Sequence, residues 1–321
     1  THPFQESNYK GVHILHCNDP EDKIGTVGQF IYDLNCILDS RKRNFDIILQ
    51  LGYTSSSVWC KLLPKKSIVV TNMDGLEWKR FKYSKPVRQF LKYAEKLAIR
   101  SSDYLISDSL GIQNYITKKY NIDSRYIAYG AELFNTPKLE ILNKYNVKAS
   151  NYNMLIARLE PENNIETILD GAVLANTKIP FLVIGKHDAN KFGAYLKNKF
   201  KNSKDIRFID GIYNLEHLNN LRYYSNLYFH GHSVGGTNPS LLEAMASNAL
   251  IVAHDNEFNK SILKDEAFYF KSEIDVKQYI DTISKKEHPN KLEYCYNEIV
   301  TKFNWKLINK KYLDFLNECC K

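Results

Sequence analysis

The strongest constraint on the fold is the alternation of short apolar segments with amphipathic helical segments along most of the chain. The apolar segments carry few polar residues, which is typical of strands in a parallel sheet that is covered on both faces. They lie at residues 45–50, 67–72, 104–107, 154–157, 181–184, 206–208, 227–229, 250–253 and 267–270. Helical periodicity occurs at residues 86–100, 165–175, 193–202, 215–223 and 240–247. Such strand–helix alternation predicts an α/β fold with doubly wound sheets.

The alternation pauses between residues 134 and 152, a polar stretch that contains Pro137 and Asn143. A chain of 321 residues suits about two domains of ordinary size, so we place the domain junction in this stretch. The predicted organisation is an N-terminal Rossmann-like domain over residues 1–148, a C-terminal one over 149–302, and a last helix over 303–321.

Composition and charge indicate a globular protein without a membrane span, but they do not identify its ligand. The sequence has no run of about 18 apolar residues, so it predicts no membrane span. The six cysteines form no CxxC pair and no zinc spacing, which is typical of reduced thiols in a cytoplasmic protein. The formal net charge of +8 is compatible with an anionic substrate, an anionic membrane surface or nucleic acid.

The most informative stretch is a glycine-rich turn between the apolar segment 227–229 and the helical segment 240–247. Thr237 and Asn238 are good N-cap residues, and Pro239 suits the first helical position. We therefore expect free backbone donors at the helix start, where the helix dipole favours a phosphate group. The residues predicted to bind this anion are Gly235, Gly236, Thr237, Asn238 and Ser240. The alternative is an ordinary capped helix, because glycine-rich turns often precede helices.

Two charged side chains complete this candidate site. Glu243 lies one turn inside the helix among apolar residues, and we take it as a candidate acceptor for ribose hydroxyl groups. Arg158 follows the apolar segment 154–157, at the kind of strand end where open α/β sheets bind ligands. Its guanidinium suits a diphosphate and the charge that develops on a leaving phosphate. The alternative is a surface ion pair of Arg158 with Glu160 or Glu162.

Asp74 is the candidate catalytic carboxylate of the first half of the chain. It follows the apolar segment 67–72, so we expect it at a strand's carboxyl end, facing the cleft between the domains. The alternative is an Asp that turns a loop before Gly75. His230 and His232 border the glycine-rich turn, and local packing is the simpler interpretation of both.

Residues 77–100 form a basic segment with interleaved aromatic side chains, and their net charge is 8 − 2 = +6. A basic amphipathic helix of this kind suits peripheral contact with an anionic membrane. The alternative is a solvated helix face above a core stripe.

The residues around the candidate site resemble the donor half of retaining family-4 GT-B glycosyltransferases. That family has an Arg-Leu pair after the first strand of its second domain, as at Arg158, and a Leu-Glu-Ala-Met-Ala segment, as at 242–246. Residues 158–164 and 231–240 are similar to a subgroup of bacterial rhamnosyltransferases of capsule and O-antigen assembly. Residues 74–80 resemble a first-domain signature of the same subgroup.

The chain departs from the family pattern at two positions. Gly235 stands where the family has a Glu that touches the sugar, and Asn163 stands where it has a Lys that touches the diphosphate. Family members also begin with a strand, a glycine-rich loop and a helix before the first segment found here. We therefore expect a first domain that is incomplete at its start, and a longer natural protein.

The resemblance implies a GT-B fold, with two Rossmann-like domains, a deep cleft between them and a last helix that packs back onto the first domain. It implies a retaining glycosyltransferase in which Glu243 contacts the nucleotide ribose and Arg158 holds the diphosphate. The expected donor is a nucleotide sugar, with dTDP-L-rhamnose preferred, and the acceptor is a glycan or a lipid-linked oligosaccharide. Asp74 would position the acceptor hydroxyl or act on the sugar face.

The sequence and the resemblance also give expectations for the cofactor and the location of the protein. The chain contains no Asp-x-Asp triplet, the pair that holds a divalent ion in metal-dependent glycosyltransferases, so we expect no metal and no other cofactor. We expect a cytoplasmic protein that meets its lipid-linked acceptor on the inner face of the plasma membrane.

Three other functions remain open at this stage. A GT-B nucleotide-sugar isomerase or epimerase would interconvert a donor without an acceptor. A non-catalytic fragment would bind the donor alone. A basic nucleic-acid-binding protein would bind DNA or RNA with steep salt dependence, but it leaves Arg158 and Glu243 unexplained, so we expect no nucleic-acid partner.

Overall fold

The structure is a computed structural model that describes residues 4–80, 82–188 and 190–321. Its strands are β1 Asn8–Tyr9, β2 Val12–His13, β3 Ile47–Gln50, β4 Ile68–Met73, β5 Tyr104–Ser107, β6 Arg125–Tyr126, β7 Asn153–Ile156, β8 Phe181–Ile184, β9 Ile206–Ile209, β10 Leu227–His230, β11 Ile251–His254 and β12 Phe268–Phe270. All nine predicted strands are present, and their bounds shift by no more than two residues.

The α-helices are α1 Glu21–Ile24, α2 Val27–Ser40, α3 Lys85–Ser101, α4 Leu110–Tyr120, α5 Ile165–Leu174, α6 Lys191–Lys199, α7 Leu215–Tyr224, α8 Pro239–Ala246, α9 Glu257–Leu263, α10 Glu273–Thr282, α11 Pro289–Glu298 and α12 Trp305–Cys319. Short 3-10 segments lie at Ser56–Leu62, Glu77–Lys79, Leu139–Tyr145, Pro161–Asn163 and Lys285–Glu287, and a π-helical turn lies at Ile299–Phe303. None of the described helices is long and apolar enough to cross a membrane.

Two parallel sheets organise the described part of the chain. The first has the strand order β3-β4-β5-β6, and the second has the order β12-β11-β10-β7-β8-β9. The strands are apolar because both faces are covered by helices: β8, for example, is buried along its whole length. The first sheet ends at Tyr126 and the second begins at Asn153, so the predicted junction lies between the sheets, and its exact position at residue 148 stays a prediction.

The second sheet has a topological switch point between β7 and β10. Chain order runs one way from β7 through β9 and the other way from β10 through β12. Leu155 of β7 lies beside Phe229 of β10 in the register of this pair, so the loops that follow the two strands leave the sheet together. Ligands of open α/β sheets bind in the crevice that such a reversal creates at the carboxyl ends of the strands.

The two sheets are joined by a continuous apolar core and by the last helix. Val70 and Ile106 of the first sheet belong to the same cluster of buried side chains as Tyr228 of the second. Helix α12 returns to the first sheet, where the rings of Phe315 and Tyr104 have centroids 6.0 Å apart. Arg125 at the edge of this sheet forms an ion pair with Glu318 of the helix.

Candidate active site

A cavity of about 880 Å³ opens at the carboxyl ends of both sheets. Its walls include residues that follow β4 and β5 of the first sheet and β7, β8 and β10 of the second. Most of the predicted site residues line it, namely Asp74, Arg158, Gly235, Gly236, Thr237, Asn238 and Ser240. The remaining one, Glu243, is not part of this lining. The fold therefore brings the predicted site residues of both halves of the chain to the same cavity.

Arg158 leaves the end of β7 with an exposed side chain that lines the cavity. Its guanidinium forms no hydrogen bond or ion pair within the described residues, while its backbone carbonyl accepts a hydrogen bond of 2.7 Å from Nδ2 of Asn163. Glu160, an alternative partner considered for Arg158, forms an ion pair with Lys82 at 3.2 Å; against the effect of burial, the nearby charges of Arg158 and Lys82 lower the pKa of its carboxyl. The Arg158 guanidinium is therefore available to an anion in the cavity.

The start of helix α8 is closed by its own residues, so the expectation of free donors at this position is wrong. Oδ1 of Asn238 accepts from the Ser240 N–H at 2.9 Å, and the Asn238 carbonyl accepts from the N–H groups of Leu241 and Leu242 at 3.1 and 3.2 Å. Pro239 has no N–H to offer. Asn238 thus acts as the N-cap and accepts from the N–H groups that were predicted to bind a ligand.

The turn before helix α8 offers backbone donors in their place. The N–H groups of Gly235, Gly236, Thr237 and Asn238 donate to no acceptor within the described part of the chain. Gly235 has a φ of 140°, a left-handed conformation that glycine adopts without strain. Consecutive free amides in a glycine turn form a concave anion site, which the positive end of the helix dipole reinforces.

Glu243 is held by a buried arginine that the sequence analysis did not identify. Its Oε2 accepts from the guanidinium of Arg222 at 2.5 Å, and the Arg222 side chain is only 1% exposed. Asn219 also accepts from Arg222, at 3.0 Å. The pairing with Arg222 thus explains why an acidic residue lies among the apolar residues of helix α8. Arg222 lies on the buried face of helix α7. A basic residue among the apolar positions of a predicted helix is the sequence pattern that could have indicated a buried charge pair.

Asp74 has a carboxylate neighbour, Asp108, that the sequence analysis also missed. Met73 and Ser107 are register partners in neighbouring strands β4 and β5, so the two acidic residues that follow them emerge side by side. Burial, reinforced by the nearby Glu77, raises the pKa of Asp74 to about 6. Burial, reinforced by Asp74, raises the pKa of Asp108 to about 8. The signal for Asp108 was an acidic residue directly after the predicted strand 104–107.

The cavity also carries positive charge, from both halves of the chain, and a neutral histidine. Burial, with the positive charges of Arg158 and Arg80, lowers the pKa of His232 to about 4. The His230 and His232 rings stack with their centroids 4.4 Å apart. Arg80 lines the cavity from the first domain and forms an ion pair of 2.7 Å with Glu77. The cavity therefore offers cations and free amides to a phosphate, and the carboxyl groups of Asp74 and Asp108 line the same space.

The basic segment 77–100 forms a 3-10 turn and most of helix α3. Its aromatic residue Trp78 points inward and donates from Nε1 to the fully buried Glu95 at 2.9 Å. Basic side chains occupy the outer face of the helix, and the exposed ones at four-residue spacing are Lys92, Lys96 and Arg100. The segment thus combines the anchored core face and the basic surface that the sequence indicated.

The sequence matches two families, one in each half. Residues 5–132 match a domain of unknown function, DUF1972, and residues 138–299 match the glycosyl transferases group 1. No curated protein matches the chain at the sequence level.

Solved structures share the whole two-sheet arrangement. Anabaena HepE in complex with UDP-glucose superimposes with a TM-score of 0.76 at 14% identity, over 91% of this chain and 84% of that one. Sucrose-phosphate synthase from Thermosynechococcus elongatus gives 0.73 at 14% identity, over 89% and 77%. A glycosyltransferase from Rickettsia africae gives 0.71 at 16% identity, over 97% and 85%. The predicted GT-B fold is confirmed.

The match over residues 138–299 spans half of the chain and contains β7 to α11, with Arg158, the turn Gly235–Asn238 and Glu243. Arg158 and the turn Gly235–Asn238 are the parts of this match that line the cavity. The chain therefore belongs to the family of group 1 glycosyl transferases.

Proposed function

We propose that the protein is a retaining glycosyltransferase that takes a sugar from a nucleoside diphosphate donor and passes it to a glycan or lipid-linked glycan acceptor. The observation that carries this function is the unpaired Arg158 guanidinium in the cavity that the free amides of Gly235–Asn238 also line. A guanidinium and a row of amides suit two phosphates. The structural similarity to HepE, which was solved with UDP-glucose, supports the same class of donor.

In the proposed reaction, the bond between the anomeric carbon and the diphosphate oxygen breaks first. Arg158 and the amides of the turn stabilise the negative charge on the departing nucleoside diphosphate. The acceptor oxygen then bonds to the anomeric carbon on the same face, and its proton passes to the leaving phosphate oxygen. Asp74 lines the same cavity, where it would orient the acceptor hydroxyl. This role for Asp74 uses a carboxylate that is mostly ionised at neutral pH.

We propose dTDP-L-rhamnose as the donor, on the resemblance of residues 158–164 and 231–240 to rhamnosyltransferases. Glu243 would contact the nucleotide ribose with its free oxygen, since Arg222 holds only Oε2. The two positions that depart from the wider family have structural partners here: Gly235 forms the turn, and Asn163 supports the Arg158 backbone.

A thermal-shift panel tests the function. Purified protein is heated with dTDP-L-rhamnose, UDP-glucose, GDP-mannose, dTDP or UDP at 1 mM, because a bound ligand raises the melting temperature. Arg158→Ala should lose the shift, whereas Arg41→Ala, at an exposed residue that does not line the cavity, should keep it. An equal response in both variants would contradict the assignment, and sugar interconversion without acceptor would indicate an isomerase.

A further inference from the structure

Asp108 is a buried acid with an unused oxygen at the edge of the cavity. The residue is 2% exposed and lines the cavity, and its Oδ1 has no hydrogen-bond partner within the described residues. A buried polar atom without a partner costs free energy that folding alone does not recover. Because Asp108 also lines the cavity, a ligand bound there would supply the missing partner.

The carboxyl group of Asp108 lies directly against the anion-binding turn. A Cβ atom added to Gly236 would overlap both of its carboxyl oxygens, so the turn keeps a glycine where Asp108 approaches. The contact continues at the next residue, because Oγ1 of Thr237 donates to the Asp108 backbone carbonyl. Asp108 therefore reaches from the first sheet to the wall that belongs to the second.

The charges around Asp108 favour a neutral partner over a phosphate. Its surroundings include the acidic Asp74 and the phenol groups of Tyr126, Tyr129 and Tyr312, and none of the groups that shift its pKa is a cation. With a pKa near 8, the group is mostly a neutral carboxyl at pH 7. A neutral carboxyl both donates and accepts a hydrogen bond, as a sugar hydroxyl does. An ionised carboxylate at the same place would repel a diphosphate.

We propose that Asp108 binds a hydroxyl group of the donor's sugar, next to the turn at Gly235 and Gly236 that holds the diphosphate. The inference rests on the proposed function and adds a sugar-binding residue from the first domain to a donor site built mainly by the second. Asp108 then distinguishes a sugar nucleotide from the nucleoside diphosphate alone.

The experiment measures affinities by titration calorimetry in two pairs of ligands, dTDP-L-rhamnose with dTDP and UDP-glucose with UDP. The ratio within a pair reports the contribution of the sugar together with that of the terminal phosphate charge of dTDP or UDP, and comparison of the Asp108 variants with the wild type separates the two because the phosphate charge is the same for every variant. In the wild type, the ratio of the affinity for the sugar nucleotide to that for the nucleoside diphosphate should fall about tenfold between pH 7 and pH 9, because binding of the sugar needs the protonated carboxyl of Asp108. This ratio is called the sugar advantage below. Asp74 is already ionised across that range, and ionisation of the base cancels within each pair.

Asp108→Asn should keep most of the sugar advantage at pH 7 and lose its pH dependence, because an amide also donates and accepts. Asp108→Ala should lose about tenfold of the sugar advantage at pH 7 and leave the affinity for dTDP or UDP within about twofold. Asp123→Asn, at an exposed acid outside the cavity, is the matched control and should behave as the wild type.

The outcomes separate this inference from the proposed function. If the wild type binds a sugar nucleotide and Asp108→Ala leaves the sugar advantage unchanged, Asp108 is no sugar ligand and the glycosyltransferase proposal stands. If Asp108→Ala weakens dTDP and dTDP-L-rhamnose equally, the residue only shapes the turn. If the wild type binds no sugar nucleotide, both proposals fall.

Discussion

The guanidinium of Arg222 donates to the carboxylate of Glu243 over 2.5 Å, and this pair joins helix α7 to helix α8 beneath the glycine turn. Arg222 is 1% exposed and Glu243 is 35% exposed, so loss of the acid leaves a cation inside the protein. Helix α8 carries Ser240 at its start, and the hydroxyl of Ser240 bonds to Tyr228 at 2.9 Å. The pair therefore supports the turn that lines the cavity.

Glu243→Ala should lower the free energy of unfolding by about 2–4 kcal/mol, because a buried charge loses its partner. This loss of stability is smaller than that expected for breaking a fully buried ion pair, because Glu243 is partly exposed to solvent. Glu243→Gln should cost less, because the amide oxygen still accepts from Arg222. Urea denaturation of both variants measures the difference. Equal stability of Glu243→Ala and wild type would show that the pair contributes nothing.

Gly236→Ala should destabilise the protein by about 1–3 kcal/mol, because the new methyl group overlaps the Asp108 carboxyl. Shortening the opposing side chain in the double variant Gly236→Ala with Asp108→Ala should recover most of this loss. Gly52→Ala, where an added Cβ meets no atom within 4 Å, is the control. Strict additivity of the two substitutions would contradict the contact.

Asp108→Asn should raise the melting temperature of the ligand-free protein by a few degrees at pH 8 and by less at pH 5. The folded-state pKa near 8 lies above the ordinary value of about 3.9, so folded protein holds a proton that the unfolded chain has lost between those values. Wild-type stability therefore falls as the pH rises through this window, and the amide removes the penalty. A melting-temperature difference that is flat from pH 5 to pH 8 would contradict the raised pKa.

Removal of divalent metal should leave donor binding unchanged to within about twofold, because Arg158 and the turn amides supply the positive charge that a metal provides elsewhere. Calorimetric titration of dTDP-L-rhamnose in EDTA and in magnesium chloride tests this. A tenfold loss in EDTA that magnesium or manganese restores would overturn the metal-free proposal.

Replacing Lys92, Lys96 and Arg100 with Gln should weaken binding to anionic vesicles by about tenfold or more, since each basic residue near such a surface contributes roughly 1 kcal/mol. Co-sedimentation with phosphatidylglycerol vesicles measures the change. A control triple at Lys197, Lys201 and Lys204 removes the same charge from an exposed stretch of the second domain. Equal losses in the two triples would assign the effect to net charge rather than to helix α3.

Sequence periodicity predicted the elements of the fold because buried parallel strands are apolar in any context. The strands 104–107 and 181–184 were predicted to the residue, and the helical segments 165–175 and 215–223 to within one residue. The two-residue strand β6 Arg125–Tyr126 was not predicted, because so short a strand carries no period and depends on its partner β5.

The site was only partly predictable, because its missing parts depend on contacts between distant segments. Arg158 and the glycine turn could be found from their places after apolar strands. The pairing of Arg222 with Glu243 joins residues 21 positions apart, and the contact of Asp108 with Gly236 spans more than a hundred. The capping of helix α8 by Asn238 was also misjudged, since the same residue types serve either as a cap or as an open anion site.

The chain crosses between its two sheets twice, and both crossings meet at one place. The Ala131 amide donates to the Phe303 carbonyl at 2.7 Å, and Ala131 pairs with Asn304 in an isolated bridge. The ring of Trp305 lies where any side chain at Gly130 would stand. The outgoing and returning backbone segments are therefore bonded to each other at residues 130–131 and 303–305. This junction adds a direct backbone link between the two halves of the chain to the apolar core that they share.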